Sequence, residues 1–269
     1  MNYCWCWCYF AMVSVPPPFA FACMSFLPKC IVVLLLLAQA GCRQPYGPQV
    51  RVEEQATRQG HHYTVFSPQK LVIDVVTQRP EMADERYYLS VAAAYTNLET
   101  DEPLDLLVCQ GRTHQLAAEV GFLTGVLTIV HDTLAIGRVA AGAVPPLAQL
   151  ARAGENRGTM LLQELLVFEG KNQRQAGGSV FQRRALVEFA NHQFAVVESA
   201  ADDLEMKQFA DDLLALGAKN ALYLDMGDWD EGWYRDGSRV TTLGHRRTHT
   251  ARQSNWLVFA QPLVPPPQW

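Results

Sequence analysis

KQFADDLLALGAKNALYLDMGDWDEGWYRDGSRVTTLGHRRTHTARQSNWLVF, residues 207–259, is the stretch that decides the fold. It reads as a helix, a buried strand, an acidic and aromatic turn, a hairpin, a basic loop and a last strand. Met206, Phe209, Ala210, Leu213 and Leu214 recur at helical spacing, so the helix has one apolar stripe. Ser199 followed by Asp202 resembles a capping box, and Asp202, Asp203 and Glu205 would load the first turn with negative charge. Gly217 is the expected C-terminal cap, since only glycine enters the left-handed region without a Cβ clash. A strand over residues 220–225 then ends at Asp225, beside Gly227, where a side chain should point into solvent or a cleft.

Working upstream, residues 63–66, 70–77, 87–95, 104–109, 125–131 and 133–138 read as strands. Residues 146–152 form a short helix entered through a proline. Residues 160–168 read as one apolar strand interrupted by Gln163 and Glu164, and residues 169–178 as a polar loop. Residues 183–190 pair with 193–198 through Asn191-His192. Hairpin links outnumber βαβ crossovers, so the class is α+β, a mainly antiparallel sheet with few helices.

Hydrophobic residues make up 49% of the 269, enough for a sizeable core. The formal charge of −5 argues against nucleic acid as a partner. In residues 1–41 the one charge is Lys29, which precedes the apolar run 31–38 and then Gln39-Ala40-Gly41-Cys42. That order is the layout of a secretory signal peptide, and a cysteine directly after Ala-Gly resembles a lipidation site at Cys42; an ordinary signal anchor left uncleaved is the other reading. The run is too short to span a bilayer, which takes about 20 apolar residues. The signal has a normal order of parts from Met24, so residues 1–23 read as upstream of the true start. Cys4, Cys6 and Cys8 have no histidine or acid beside them and do not suggest metal. Residues 42–60 read as a tether, 61–261 as the domain and 262–269 as a tail. Beyond Cys42 the one cysteine is Cys109, read as a small buried hydrophobe.

Three groups can carry chemistry. Asp225, Asp228, Asp230 and Glu231 could supply an acid and a base for a glycosidic or phosphodiester bond, could take a hard cation, or could be a solvated turn. No cofactor is asked for beyond such a divalent cation. His245, Arg246, Arg247, His249 and Arg252, followed by Asn255, form a basic loop suited to phosphate or carboxylate. Arg183-Arg184 is a second basic point; surface charge is the other reading of both. Trp229, Trp233 and Tyr234 flank the acids, either to stack on a sugar or to cap the sheet.

At these residues the chain resembles the phosphodiester glycosidase family, which includes an enzyme that removes N-acetylglucosamine from phosphomannose, with many bacterial relatives. Arg184-Ala185-Leu186 is similar to the family's Arg-Thr-Ala strand, and residues 223–228 to its Asn-Leu-Asp-Gly-Gly-Gly-Ser turn. Residues 252–259 are similar to its last strand, and Val91-Ala92-Ala93-Ala94-Tyr95-Thr96 sits where it has Asn-Gly-Gly-Phe-Phe. Met226 and Asp228 replace two glycines of the triple-glycine turn, and the Asn of the early motif is missing. The resemblance implies an envelope protein acting on a glycosyl phosphodiester or related glycan. Asp225 would be its acid/base. Arg184, Asp228, Trp229, Asp230, Arg246, Arg247, His249 and Asn255 would hold substrate. The other reading is a glycan-binding or structural envelope lipoprotein that has lost catalysis.

Overall fold

The computed structural model describes residues 47–131, 133–226, 230–245 and 250–262. The first sheet has seven strands in the order β1 (Gln49–Ala56), β2 (His62–Gln69), β14 (Phe194–Ser199), β13 (Arg184–Phe189), β16 (Ala218–Leu224), β10 (Leu165–Phe168) and β11 (Lys171–Asn172). The second has five: β18 (Arg239–Leu243), β17 (Gly232–Asp236), β4 (Tyr87–Ala92), β19 (Trp256–Ala260) and β3 (Val72–Val76). The third has β6 (Arg112–Gln115), β5 (Leu107–Cys109), β9 (Thr159–Gln163), β7 (Gly125–Val130) and β8 (Thr133–Arg138). A two-stranded patch joins β12 (Val180–Phe181) to β15 (Leu204–Glu205). Every strand pairing among the described residues is antiparallel, and two short helices accompany the sheets. The expected α+β class, mainly antiparallel with few helices, is the one found.

Alternation along the strands builds the core. Leu186, Leu222 and Leu224 from the first sheet meet Val75, Leu89 and Leu257 from the second and Leu107, Leu127 and Leu161 from the third. The intervening residues of the first sheet, Ala185, Val187, Ala221 and Tyr223, face the opposite way. They are covered by α2 (Met206–Ala215) through Phe209, Ala210 and Leu213, all fully buried. Each such large side chain stabilises the fold by roughly 1.5–3 kcal/mol. The expected short helix is present as α1 (Leu147–Glu155), with Pro146 as its N-cap rather than its first residue, and it buries Ala153 against the third sheet's outer cluster. Gly217 does end α2, at φ 96°.

Three sequence readings are corrected. The tether proposed over residues 42–60 contains β1, which pairs along its whole length with β2, from Gln49 opposite Gln69 to Ala56 opposite His62. Its charges hid it: Arg51, Glu53 and Glu54 sit on an edge strand, where charge blocks further strand addition. The run 160–168 is two strands in two sheets, broken at Glu164. And α2 starts at Met206, with no side-chain cap and no acid in its first turn. The Ser199 hydroxyl is already engaged, accepting from the Arg183 N–H at 2.8 Å and donating to the Ala201 carbonyl. Leu204 and Glu205 are held in β15 against Phe181 and Val180.

Candidate functional site

Polar side chains buried among apolar neighbours must find partners or be aimed at a ligand. At one end of the fold several find partners. Arg184, the first residue of β13, lies opposite Leu224 at the end of β16 and Glu198 near the end of β14. Gly232 opens β17 opposite Val91, and Trp256 opens β19 opposite Ala92. The segment after β4 is the hub. The Ala93 carbonyl accepts from the Asp225 N–H at 3.0 Å and from Gln163 Nε2 at 3.2 Å.

Arg184 is fully buried. Its Nε donates to Glu198 Oε2 at 2.7 Å, and its Nη2 donates to the same oxygen and to the Asp230 carbonyl at 3.0 Å. Its Nη1 is buried and has no hydrogen-bond partner among the described residues. Arg183, one residue earlier, faces the α2 side. Its donors go to the Leu204 carbonyl at 2.9 Å, the Ser179 carbonyl and the Tyr223 hydroxyl at 3.3 Å. The surface-charge reading of this pair fails for both, because alternation carries each guanidinium inward from its own face of the sheet.

Asp225 follows the last residue of β16, Leu224, rather than ending the strand, and it does not reach a solvent rim, being 3% exposed. Its N–H to Ala93 keeps the chain within the layer, and its charge acts on two neighbouring phenols, Tyr95 and Tyr223. Burial pushes Tyr95 well above the usual tyrosine range, with Glu164, Tyr223 and Asp225 adding to the rise. Burial likewise raises Tyr223, to about 12, against the opposing charge of Arg183. The Tyr95 hydroxyl donates to Glu164 Oε1 at 2.5 Å, and Arg174 Nη2 pairs with Glu164 Oε2 at 2.5 Å. Sequence reading gave Glu164 no role. Its signal was the polar break in an apolar run, and that break is where the chain leaves the third sheet for the first.

Asp230 is 2% exposed and accepts from the His245 N–H through Oδ2, fixing the start of the basic loop. Gly244 permits this: at φ 83° a Cβ there would lie 2.1 Å from the Asp230 carbonyl oxygen. Asn255 is fully buried and clamps Ala94, accepting from its N–H at 2.7 Å and donating to its carbonyl at 3.2 Å. A second Nδ2 contact goes to Ser254 Oγ at 2.8 Å, so Asn255 shapes the hub with both ends of its amide. Glu231 pairs with Arg79 at 2.7 Å, and Arg252 with Asp101 at 2.7 Å. The two described aromatics cap sheets: Trp233 is 4% exposed, and Tyr234 packs on Phe66 with ring centroids 5.3 Å apart. Asp228, Trp229, Arg246, Arg247 and His249 lie outside the described residues, as does Cys42. Among the described residues no group of three or more His, Cys, Asp or Glu side chains could hold a metal ion.

No protein-family model and no curated protein matches this sequence. Solved structures do. The catalytic domain of zebrafish N-acetylglucosamine-1-phosphodiester alpha-N-acetylglucosaminidase, auto-inhibited by its pro-peptide, superposes with a TM-score of 0.51 at 13% identity, covering 82% of this chain and 85% of that one. A hypothetical protein from Synechocystis gives 0.49 at 15% identity, covering 81% and 63%. At such identity the likeness establishes the fold: this chain has the fold of that glycosidase's catalytic domain.

Proposed function

We propose that this protein acts on a glycosyl phosphodiester or a related envelope glycan at the end of the fold where β4, β13, β16 and β17 meet. The observation that carries the reading is Arg184, fully buried beside Glu198 with its Nη1 nitrogen left without a hydrogen-bond partner among the described residues. Two carboxylates, Asp225 and Glu164, gather around Tyr95 and Tyr223. An arginine fork held rigid by Glu198 is suited to an anionic oxygen of a phosphodiester. Arg246 and Arg247, on the loop whose start Asp230 fixes, would add charge on the same substrate. Asp228, Trp229, His249 and Asn255 belong to the proposed binding set, with Asn255 acting through Ala94. Asp225 is the leading acid/base, and Glu164 is the second carboxylate that glycosidic chemistry normally uses. One would activate water at the anomeric carbon while the phosphodiester oxygen leaves.

One observation favours a second reading. Ala93 and Ala94 stand where the resembled family has paired glycines, and Met226 is 1% exposed in its turn. A filled hub of this kind suits a glycan-binding envelope protein without turnover. Incubation with a panel of glycosyl phosphodiesters separates the two: released sugar supports the hydrolase, and saturable binding without release supports the binder. We further propose that the chain is exported and anchored to the cell envelope membrane through lipid on Cys42. Intact mass of the mature N-terminus should show an acylated Cys42, and an unmodified chain beginning elsewhere would contradict anchoring.

A further inference from the structure

At the seam between the edge strand β3 and the third sheet there is a cleft of about 970 Å³ whose lining shares no residue with the site above. That is near the upper end of the range of roughly 300–1,000 Å³ typical of small-molecule sites. Its wall is apolar where the three sheets part: Leu71, Ile73, Ile129, Leu134 and Phe194 line it and belong to, or pack on, the central core. Its sheet-three side is cationic. Arg112 opens β6 and Arg157 lies in the turn after α1, and the two segments are stitched together by the Gly111 N–H donating to the Gly158 carbonyl at 2.7 Å. Both arginines are exposed, and neither has an ion partner among the described residues.

The cleft's other charges do not cancel them. Arg86 is already paired with Asp84 at 2.6 Å. Asp74 is the one acid in the lining among the described residues, and its carboxylate is engaged by the Val75 N–H at 2.7 Å and Gln110 Nε2 at 3.1 Å. Burial raises its pKa. Burial and then the neighbouring Arg112 lower His114, so that imidazole is more readily neutral. Cys109 also lines the cleft, but its thiol donates to the Val75 carbonyl and burial pushes it to about 12, so it is no nucleophile. What remains is a cleft with one apolar wall, an otherwise polar lining and two arginines at one lip that have no ion partner among the described residues, on a chain whose net charge is −5.

From this arrangement we infer that the cleft binds a single-chain amphiphile: an alkyl or acyl chain along the apolar wall, with one carboxylate or phosphate head at Arg112 and Arg157. The site is independent of the proposed glycan chemistry and stands or falls without it.

Calorimetric titration of the full chain with decanoate, decyl phosphate and decanol tests it, each kept below its aggregation concentration. Either anion should bind at least about tenfold more tightly than decanol, a difference near 1.4 kcal/mol. Acetate and inorganic phosphate, which lack the chain, should bind at least as weakly as decanol. The Arg112→Gln/Arg157→Gln variant should bring anion affinity down to the decanol level. Both side chains are exposed, so its melting temperature should not change. Decanol binding as well as the anions, short anions binding as well as long ones, anion binding surviving in the double variant, or no binding by any probe would each overturn the inference.

Discussion

Arg183 and Arg184 are neighbours in sequence and both nearly fully buried, yet they do different work. Arg183 lies on the α2 side and is held by neutral oxygens and by ring faces: its guanidinium carbon sits 5.4 Å from the centroid of Phe181 and 5.7 Å from that of Tyr223. It staples the two-stranded patch to the first sheet. Arg184 lies between the sheets and is paired with a carboxylate, and its Nη1 has no hydrogen-bond partner among the described residues. The difference shows why a basic dipeptide entering a strand is uninformative by charge alone. The pleat sends one side chain to neutral oxygens and ring faces and the other to a buried carboxylate, and only the partners tell which.

The largest effect that could break this comparison is on stability. Arg184→Met leaves Glu198 buried without its partner and should cost about 3–5 kcal/mol by denaturant unfolding. Glu198→Met combined with Arg184→Met should recover most of that loss, since no unpaired charge remains. Arg183→Met leaves only neutral acceptors and should cost less, about 1–3 kcal/mol. Equal losses for the two single variants would erase the distinction.

A smaller effect sharpens it through pH. Tyr223 beside Arg183, and Tyr95 across the site, are both raised by burial. In the unfolded chain tyrosines ionise near pH 10, while in the fold these two stay protonated. Above about pH 10 the unfolded state therefore binds fewer protons than the native one, and stability falls as pH rises through the folded values. Below pH 10 the two contribute no pH dependence. Melting temperature against pH should turn down near 10, and Tyr223→Phe should lessen the slope. A slope unchanged by that substitution would remove Tyr223 from the effect.

Much of the fold was legible because it depends on alternation and turns. The hairpin of β13 and β14, the pairing of β17 with β18 and the glycine stop of α2 all follow local rules. β1 was not legible because an edge strand buries little: Val50 is the one residue of it that is buried. The start of α2 was misplaced because Ser199 has a partner 16 residues away, which no local motif reveals. The burial of Asp225 and Arg184 was not legible, since it depends on which sheets close over them. Glu164 was visible as a polar residue inside an apolar run. Its meaning required knowing that the run changes sheets there and that Tyr95 lies within reach.

The most direct test of the proposed chemistry compares wild type, Asp225→Asn and Asp230→Asn for turnover of the best substrate in a glycosyl phosphodiester panel, with folding checked by circular dichroism. Asp225→Asn should lower turnover at least about a hundredfold while remaining folded, the scale expected for a positioned acid or base. Asp230 holds the basic loop through the His245 N–H, so Asp230→Asn should be affected less. Wild-type turnover in folded Asp225→Asn, or no turnover by the wild type on any member of the panel, would contradict the account.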